Sequence, residues 1–174
     1  MKDLKRKIHY WCFGYNAKQN HWKGVVCAVL TQGSTQHPDL AGRIVGWKDC
    51  VQGKKTIYDD NGHGTHVAGI LAGNGKSGRG LYSGMRPEAQ IFAVKVLNQR
   101  EVENPGCDKR DPVRAVKQKE MKIRIVNISI GTLPHKKDPE DELLLFWVER
   151  LWDAGLVVVT AAGNKGPKEG SITI

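Results

Sequence analysis

The sequence predicts an α/β fold, a three-layer α/β/α sandwich around a mainly parallel sheet. The runs Val25 to Leu30 (VVCAVL), Gln90 to Leu97 and Ile123 to Ile130 (IRIVNISI) are almost continuously apolar instead of alternating. Strands buried on both faces read this way, and such strands belong to parallel sheets covered by helices. Helical patterns stand between them, from Thr65 to Ala72 and from Pro139 to the turn at Gly155. With 174 residues and 40% hydrophobic content the chain buries one core.

Residues 1 to 23 mix polar and aromatic side chains and are expected to form an N-terminal extension wrapping the domain of residues 24 to 174. Val25 to Leu30, bounded by Gly24 and Gly33, is the first central strand. It ends in Thr31-Gln32-Gly33, at the C-terminal edge where an open α/β sheet places its working residues. Arg43 to Trp47 is expected as a further strand, followed by a polar turn from Asp49 to Lys55.

Asp59 to Gly69 reads DDNGHGTHVAG, with His63 between Gly62 and Gly64. Paired glycines predict a close approach of backbone to a neighbour. The apolar helical pattern that follows puts His63 at a helix start, where the positive end of the dipole favours a neutral imidazole able to take a proton. A histidine that merely packs or caps is the plainer alternative for such a position. A metal site at His63-Gly64-Thr65-His66 is disfavoured, because the histidines are three apart with no glutamate between.

The glycine-rich loop from Gly73 to Gly84 leads to the strand Gln90 to Leu97. In residues 100 to 120, Pro112 starts a helix of about two turns. Its apolar stripe of Val113, Val116 and Met121 is thin. The third buried strand, Ile123 to Ile130, stops at Gly131. Asp138 as N-cap and Pro139 at the first position open the clearest helix. Leu144, Trp147, Val148, Leu151 and Trp152 lie on one face, and core packing is the expected use of the tryptophans. Leu156 to Ala162 is the fourth strand, and Gly163-Asn164 turns off its end.

Composition narrows the function classes. No stretch approaches the ~18 apolar residues of a membrane span. The excess of 27 Lys and Arg over 18 acids gives +9, but the basic residues are scattered, so a solvated face is expected and a nucleic-acid partner is not. The N-terminus as written has no apolar export signal after its basic residues. Cys12, Cys27, Cys50 and Cys107 show no CxxC pair. Reduced thiols and a cytoplasmic location are the expectation.

Four strings in order, His37-Pro38-Asp39-Leu40 after the first strand, the segment around His63, Val126-Asn127-Ile128-Ser129-Ile130-Gly131 and Ala161-Ala162-Gly163-Asn164, resemble the subtilisin-like serine proteases. The resemblance implies hydrolysis of polypeptides by acyl transfer. It makes His63 the general base, Asn164 the donor to the oxyanion, and Ser129, Ile130 and Gly131 the backbone that pairs with an extended substrate. The family order is aspartate, histidine, serine. Thr31 occupies the aspartate's position, and threonine cannot hold a negative charge beside an imidazolium. Asp59 or Asp60 is the alternative carboxylate, though loop neighbours seldom reach the same ring nitrogen. The serine element, Gly-Thr-Ser-Met-Ala, is not found, and Ser34, Ser77, Ser83, Ser129 and Ser171 all have other contexts. The chain is therefore expected to be an N-terminal part of the catalytic domain, inactive alone. No cofactor is predicted. Similar proteins sometimes bind calcium at the Gly73 to Gly84 loop, but this loop offers few oxygens beyond Asn74, so no metal is predicted there. Three readings stay open: part of an endopeptidase, a non-catalytic relative that holds extended peptides, and a decayed fragment.

Overall fold

The computed structural model describes residues 23–99, 111–117, 119–130 and 139–164. The expectations for the N-terminal extension, for residues 100–110, for Gly131 and for the Asp138 cap lie outside these residues. Five strands form one sheet: β1 (Val26–Thr31), β2 (Ile44–Asp49), β3 (Gln90–Lys95), β4 (Ile123–Ile128) and β5 (Val157–Thr160), in the spatial order β2-β3-β1-β4-β5. Every pairing is parallel, so all five C-terminal ends lie along one edge. Three helices accompany them, α1 (His63–Ala72), α2 (Asp111–Val116) and α3 (Pro139–Trp152).

Each apolar run became a strand because its side chains find a helix on both sides of the sheet. On one face, Cys27 and Val29 of β1 and Ile91 and Ala93 of β3 meet Ala68 and Ala72 of α1. These are small residues, so α1 lies close to the sheet. On the other face Leu30, Phe92, Val94, Val126 and Ile128 pack against Val113 and Val116 of α2 and Leu144, Trp147 and Leu151 of α3. The expected three layers are present. β1 has neighbours on both edges and both faces, and all six of its residues are buried.

Several details differ from the pattern reading. The helix starts at His63 as expected, but Ile70 in its apolar run stands 54% exposed, so α1 is buried on one side only. Trp152 is 66% exposed, because the core-facing line of α3 runs through Leu144, Trp147 and Leu151, and Trp152 falls on the flank of the exposed Leu145, seven residues earlier. β5 is apolar yet its Val157 is 57% exposed, since among the described residues it has a strand on one side only. Asp49 is not part of a solvated turn. It is buried at the end of β2, where Oδ1 accepts from the backbone N–H of Val51 and Gln52 and Oδ2 from Lys54 N–H and the Tyr58 hydroxyl. A short polar loop needs one internal acceptor to order its amides, and a carboxylate with two oxygens supplies it.

α1 is fixed to β1 by one close approach. A Cβ on Gly64 would fall on the Gly33 carbonyl oxygen and crowd the Thr31 hydroxyl, so only glycine fits. Gly64→Ala is expected to lower stability by about 2–3 kcal/mol through overpacking, read as a lower urea midpoint with unchanged slope. A midpoint equal to the parent's would contradict this contact. Burial raises the Asp49 carboxyl, but the donors of Gln52, Val51, Lys54 and Tyr58 outweigh it and hold it below the usual carboxylate range. Its stabilisation is therefore fully present above the unfolded value of about 3.9 and is lost as the pH falls through the lower folded value. Asp49→Asn is expected to cost about 2–3 kcal/mol at pH 7, with the gap to the parent narrowing in urea titrations below about pH 4. A gap that stays constant with pH would assign the loss to packing instead.

Candidate active site

The site is assembled at the C-terminal edge of the sheet, where β1 ends beside the start of α1. Gly62 takes a left-handed backbone conformation (φ 94°) and turns the chain into the helix. It has no side chain to cap the exposed amides. Asp59 does this instead: Oδ1 accepts from the N–H of Asn61 (3.1 Å) and Gly62 (2.8 Å), and Oδ2 from the N–H (2.8 Å) and hydroxyl of Thr65. Burial raises this carboxyl, yet the Thr65 hydroxyl and the three amides together keep it below the usual range. Gly33 and Asp59 form an antiparallel bridge, and Ser34 N–H donates to the Tyr58 carbonyl. The strand end and the histidine loop are thus tied by backbone.

The His63 imidazole follows from this frame. Its backbone N–H donates to Asn61 Oδ1 at 3.2 Å, and its Nδ1 lies 2.7 Å from Oε1 of Gln32. Gln32 is buried, 3% exposed, immediately past β1. Thr31 does not turn to the histidine. Its hydroxyl donates to the Gly33 carbonyl (3.1 Å) and accepts from Gly33 N–H (3.3 Å), closing the turn at the strand end. Neither nearby carboxylate takes the ring nitrogen either, for Asp59 caps the helix and Asp60 pairs with the Lys95 ammonium at 2.6 Å. Lys95, fully buried at the end of β3, also donates to the backbone carbonyl of Gln32 and stands 4.9 Å from the centre of the Tyr58 ring. One ammonium so holds the residue beside His63 and the loop that carries His63.

Ser129 and Asn164 stand past the ends of β4 and β5, the next strands along the same edge. Ser129 N–H donates to the Leu30 carbonyl, and Ser129 Oγ accepts from Asn127 Nδ2 at 2.6 Å. The Ile130 side chain enters the core. Asn164 is exposed, delivered by Gly163 in a left-handed turn (φ 82°). Gly131 lies outside the described residues. The sequence reading missed Gln32 and Lys95. The signal for the lysine was a charge inside an otherwise apolar strand; for Gln32, its place at a strand end gave no indication of how far an amide reaches.

Among the described residues no three His, Cys, Asp or Glu side chains gather closely enough for a metal. In the Gly73 to Gly84 loop, Asn74 Oδ1 accepts from Lys76 N–H and Asp39 Oδ1 from Ser77 N–H, so the oxygens near it order the loop itself. That donor set does not fit the six to eight oxygens calcium takes. Burial pushes the Cys27 thiol up to about 12, which makes it inert. No helix among the described residues is long and apolar enough to cross a membrane.

Comparison with known proteins agrees with this geometry. The model of the subtilase family matches residues 22–173. Serine protease AprX of Bacillus subtilis (strain 168) is 43% identical over 160 residues, 86% of this chain and 35% of the relative. Minor extracellular protease Epr of the same organism is 37% identical over 145 residues, 83% of this chain and 20% of the relative. The solved structure of the S41 psychrophilic protease superposes with a TM-score of 0.74 at 31% identity, over 96% of this chain and 54% of that one. The chain thus spans about half or less of the proteins it resembles. With a match that runs through both faces of the sheet and through the loop of His63, this chain belongs to the subtilase family.

Proposed function

We propose that residues 24 to 174 supply the base, the oxyanion donor and the substrate-pairing strand of a serine endopeptidase acting on extended polypeptides. The observation that carries this is His63, held by its Nδ1 at the head of α1 on the C-terminal edge of a parallel sheet. In this reading His63 Nε2 takes the proton of a serine hydroxyl as that oxygen attacks the scissile carbonyl, then returns it to the leaving amine. Asn164 donates to the oxyanion, and Ser129, Ile130 and Gly131 pair with the substrate backbone before the scissile bond. None of the five serines has the context of the nucleophile, so the 174 residues are proposed to be inactive by themselves. Turnover belongs to a polypeptide that includes the serine element. The buried Cys27 thiol supports a reducing, cytoplasmic setting for this protein.

A second reading has its own support. Thr31 stands at the aspartate's position with its hydroxyl committed to Gly33, and among the described residues the partner of Nδ1 is the Gln32 amide, not a carboxylate. A relative that binds extended peptides along Ser129 to Gly131 without cutting them needs no such carboxylate.

Intact-mass measurement and hydrolysis of an unfolded polypeptide, both on the protein from its native source, separate these readings. The endopeptidase reading expects a mass well above 19.3 kDa and turnover that falls by about 10³-fold or more in His63→Ala. It expects Asn164→Ala to lower kcat by about 10²–10³ with little change in KM. Peptide binding without His63-dependent cleavage assigns the non-catalytic role and removes the endopeptidase one.

A further inference from the structure

We infer that Gln32 is the positioning residue of His63: its amide oxygen receives the Nδ1 proton of the imidazole where the family uses a carboxylate. The inference rests on the peptidase reading for what the imidazole is used for, but not for which nitrogen holds the proton. A neutral histidine has two tautomers, and the hydrogen bond made by one ring nitrogen selects the state of the other. An acceptor 2.7 Å from Nδ1 keeps the proton there and leaves the Nε2 lone pair directed away as the base.

Three features favour Gln32 over any other group. It is buried, 3% exposed, so its side chain is held in place beneath the exposed His63 and does not range through solvent. Its backbone is fixed on both sides, by the Lys95 ammonium on its own carbonyl and by the Gly33–Asp59 bridge one residue on. The remaining candidates are committed: Thr31 to Gly33, Asp59 to the amides of α1, and Asp60 to Lys95. One side chain longer and one residue later than the family's aspartate thus reaches the same ring nitrogen.

The substitution separates two tasks that a carboxylate performs together. An amide oxygen orients the ring and selects its tautomer, but carries no charge to stabilise the imidazolium. It also carries a donor on its other arm. An amide turned by half a revolution would donate to a bare Nδ1, place the proton on Nε2 and remove the base.

The test is nuclear magnetic resonance of the ring nitrogens in the protein carrying residues 1–174, with histidine isotopically labelled, at about pH 9 where imidazoles are neutral. His63 is assigned by the signal lost in His63→Gln. The expected result is the Nδ1–H tautomer in the parent, loss of its dominance in Gln32→Ala, and its return in Gln32→Glu. Thr31→Ala is expected to leave the His63 signals unmoved. An Nε2–H tautomer in the parent overturns the inference, as does an unchanged His63 in a folded Gln32→Ala. The parent spectrum and Gln32→Glu decide the matter if Gln32→Ala does not fold. The two readings fail separately: a locked Nδ1–H with no His63-dependent hydrolysis removes the peptidase reading alone, and an Nε2–H ring in a protein with His63-dependent hydrolysis removes this inference alone.

Discussion

The buried ammonium of Lys95 is the interaction on which the arrangement of the edge depends. It sits at the last residue of β3, paired in register with Thr31, and faces the same side of the sheet as α1. Taking a cation out of water is costly unless partners replace its hydration, and here a carboxylate, a backbone carbonyl and an aromatic face do so. Those three partners come from the end of β1 and from the loop ahead of α1, segments about thirty residues apart in sequence. The end of β1 is held by the sheet, whereas the loop ahead of α1 is polar and depends on such partners. The charge must be satisfied, and satisfying it draws the two together.

The contact between α1 and β1 supplies the complementary constraint, a repulsive one. Gly64 lies so near the Gly33 carbonyl that the helix can come no closer and no side chain can intervene. Attraction through Lys95 and Asp60 and exclusion at Gly64 together set the distance across which Gln32 meets His63. The geometry of the edge is therefore preserved by groups that do not touch the imidazole, and among the described residues the amide of Gln32, not a carboxylate, meets its Nδ1.

The sheet was legible in the sequence because strands buried on both faces leave continuous apolar runs, and VVCAVL and IRIVNISI are of that kind. The glycines around His63 were legible for the same reason that they are needed, a tight turn at φ 94° and a Cβ-free approach. What pattern could not supply was the partnership of polar side chains. Asp49 reads as a loop residue and is a buried acceptor of four hydrogen bonds. Trp152 continues the helical stripe in sequence, but it lies at the stripe's margin on the flank of the exposed Leu145, and how wide a stripe the core covers is not encoded in periodicity. Position-by-position resemblance directs attention to Thr31, whereas the ring nitrogen is met by the neighbouring amide, because reach is a property of side-chain length and backbone direction together.

Tyr58 gives the edge an ionisation of its own. Its phenol donates to Asp49, its ring stands over Lys95 and edge-on to Trp47 at 5.8 Å, and burial with the adjacent carboxylates raises its ionisation well beyond that of an ordinary tyrosine. The other described tyrosine, Tyr82, is 80% exposed, whereas Tyr58 lies partly buried beside two carboxylates and holds its proton to higher pH than an ordinary phenol. Opening of the loop that carries His63 would separate Tyr58 from those carboxylates and return its ionisation toward that of an ordinary phenol.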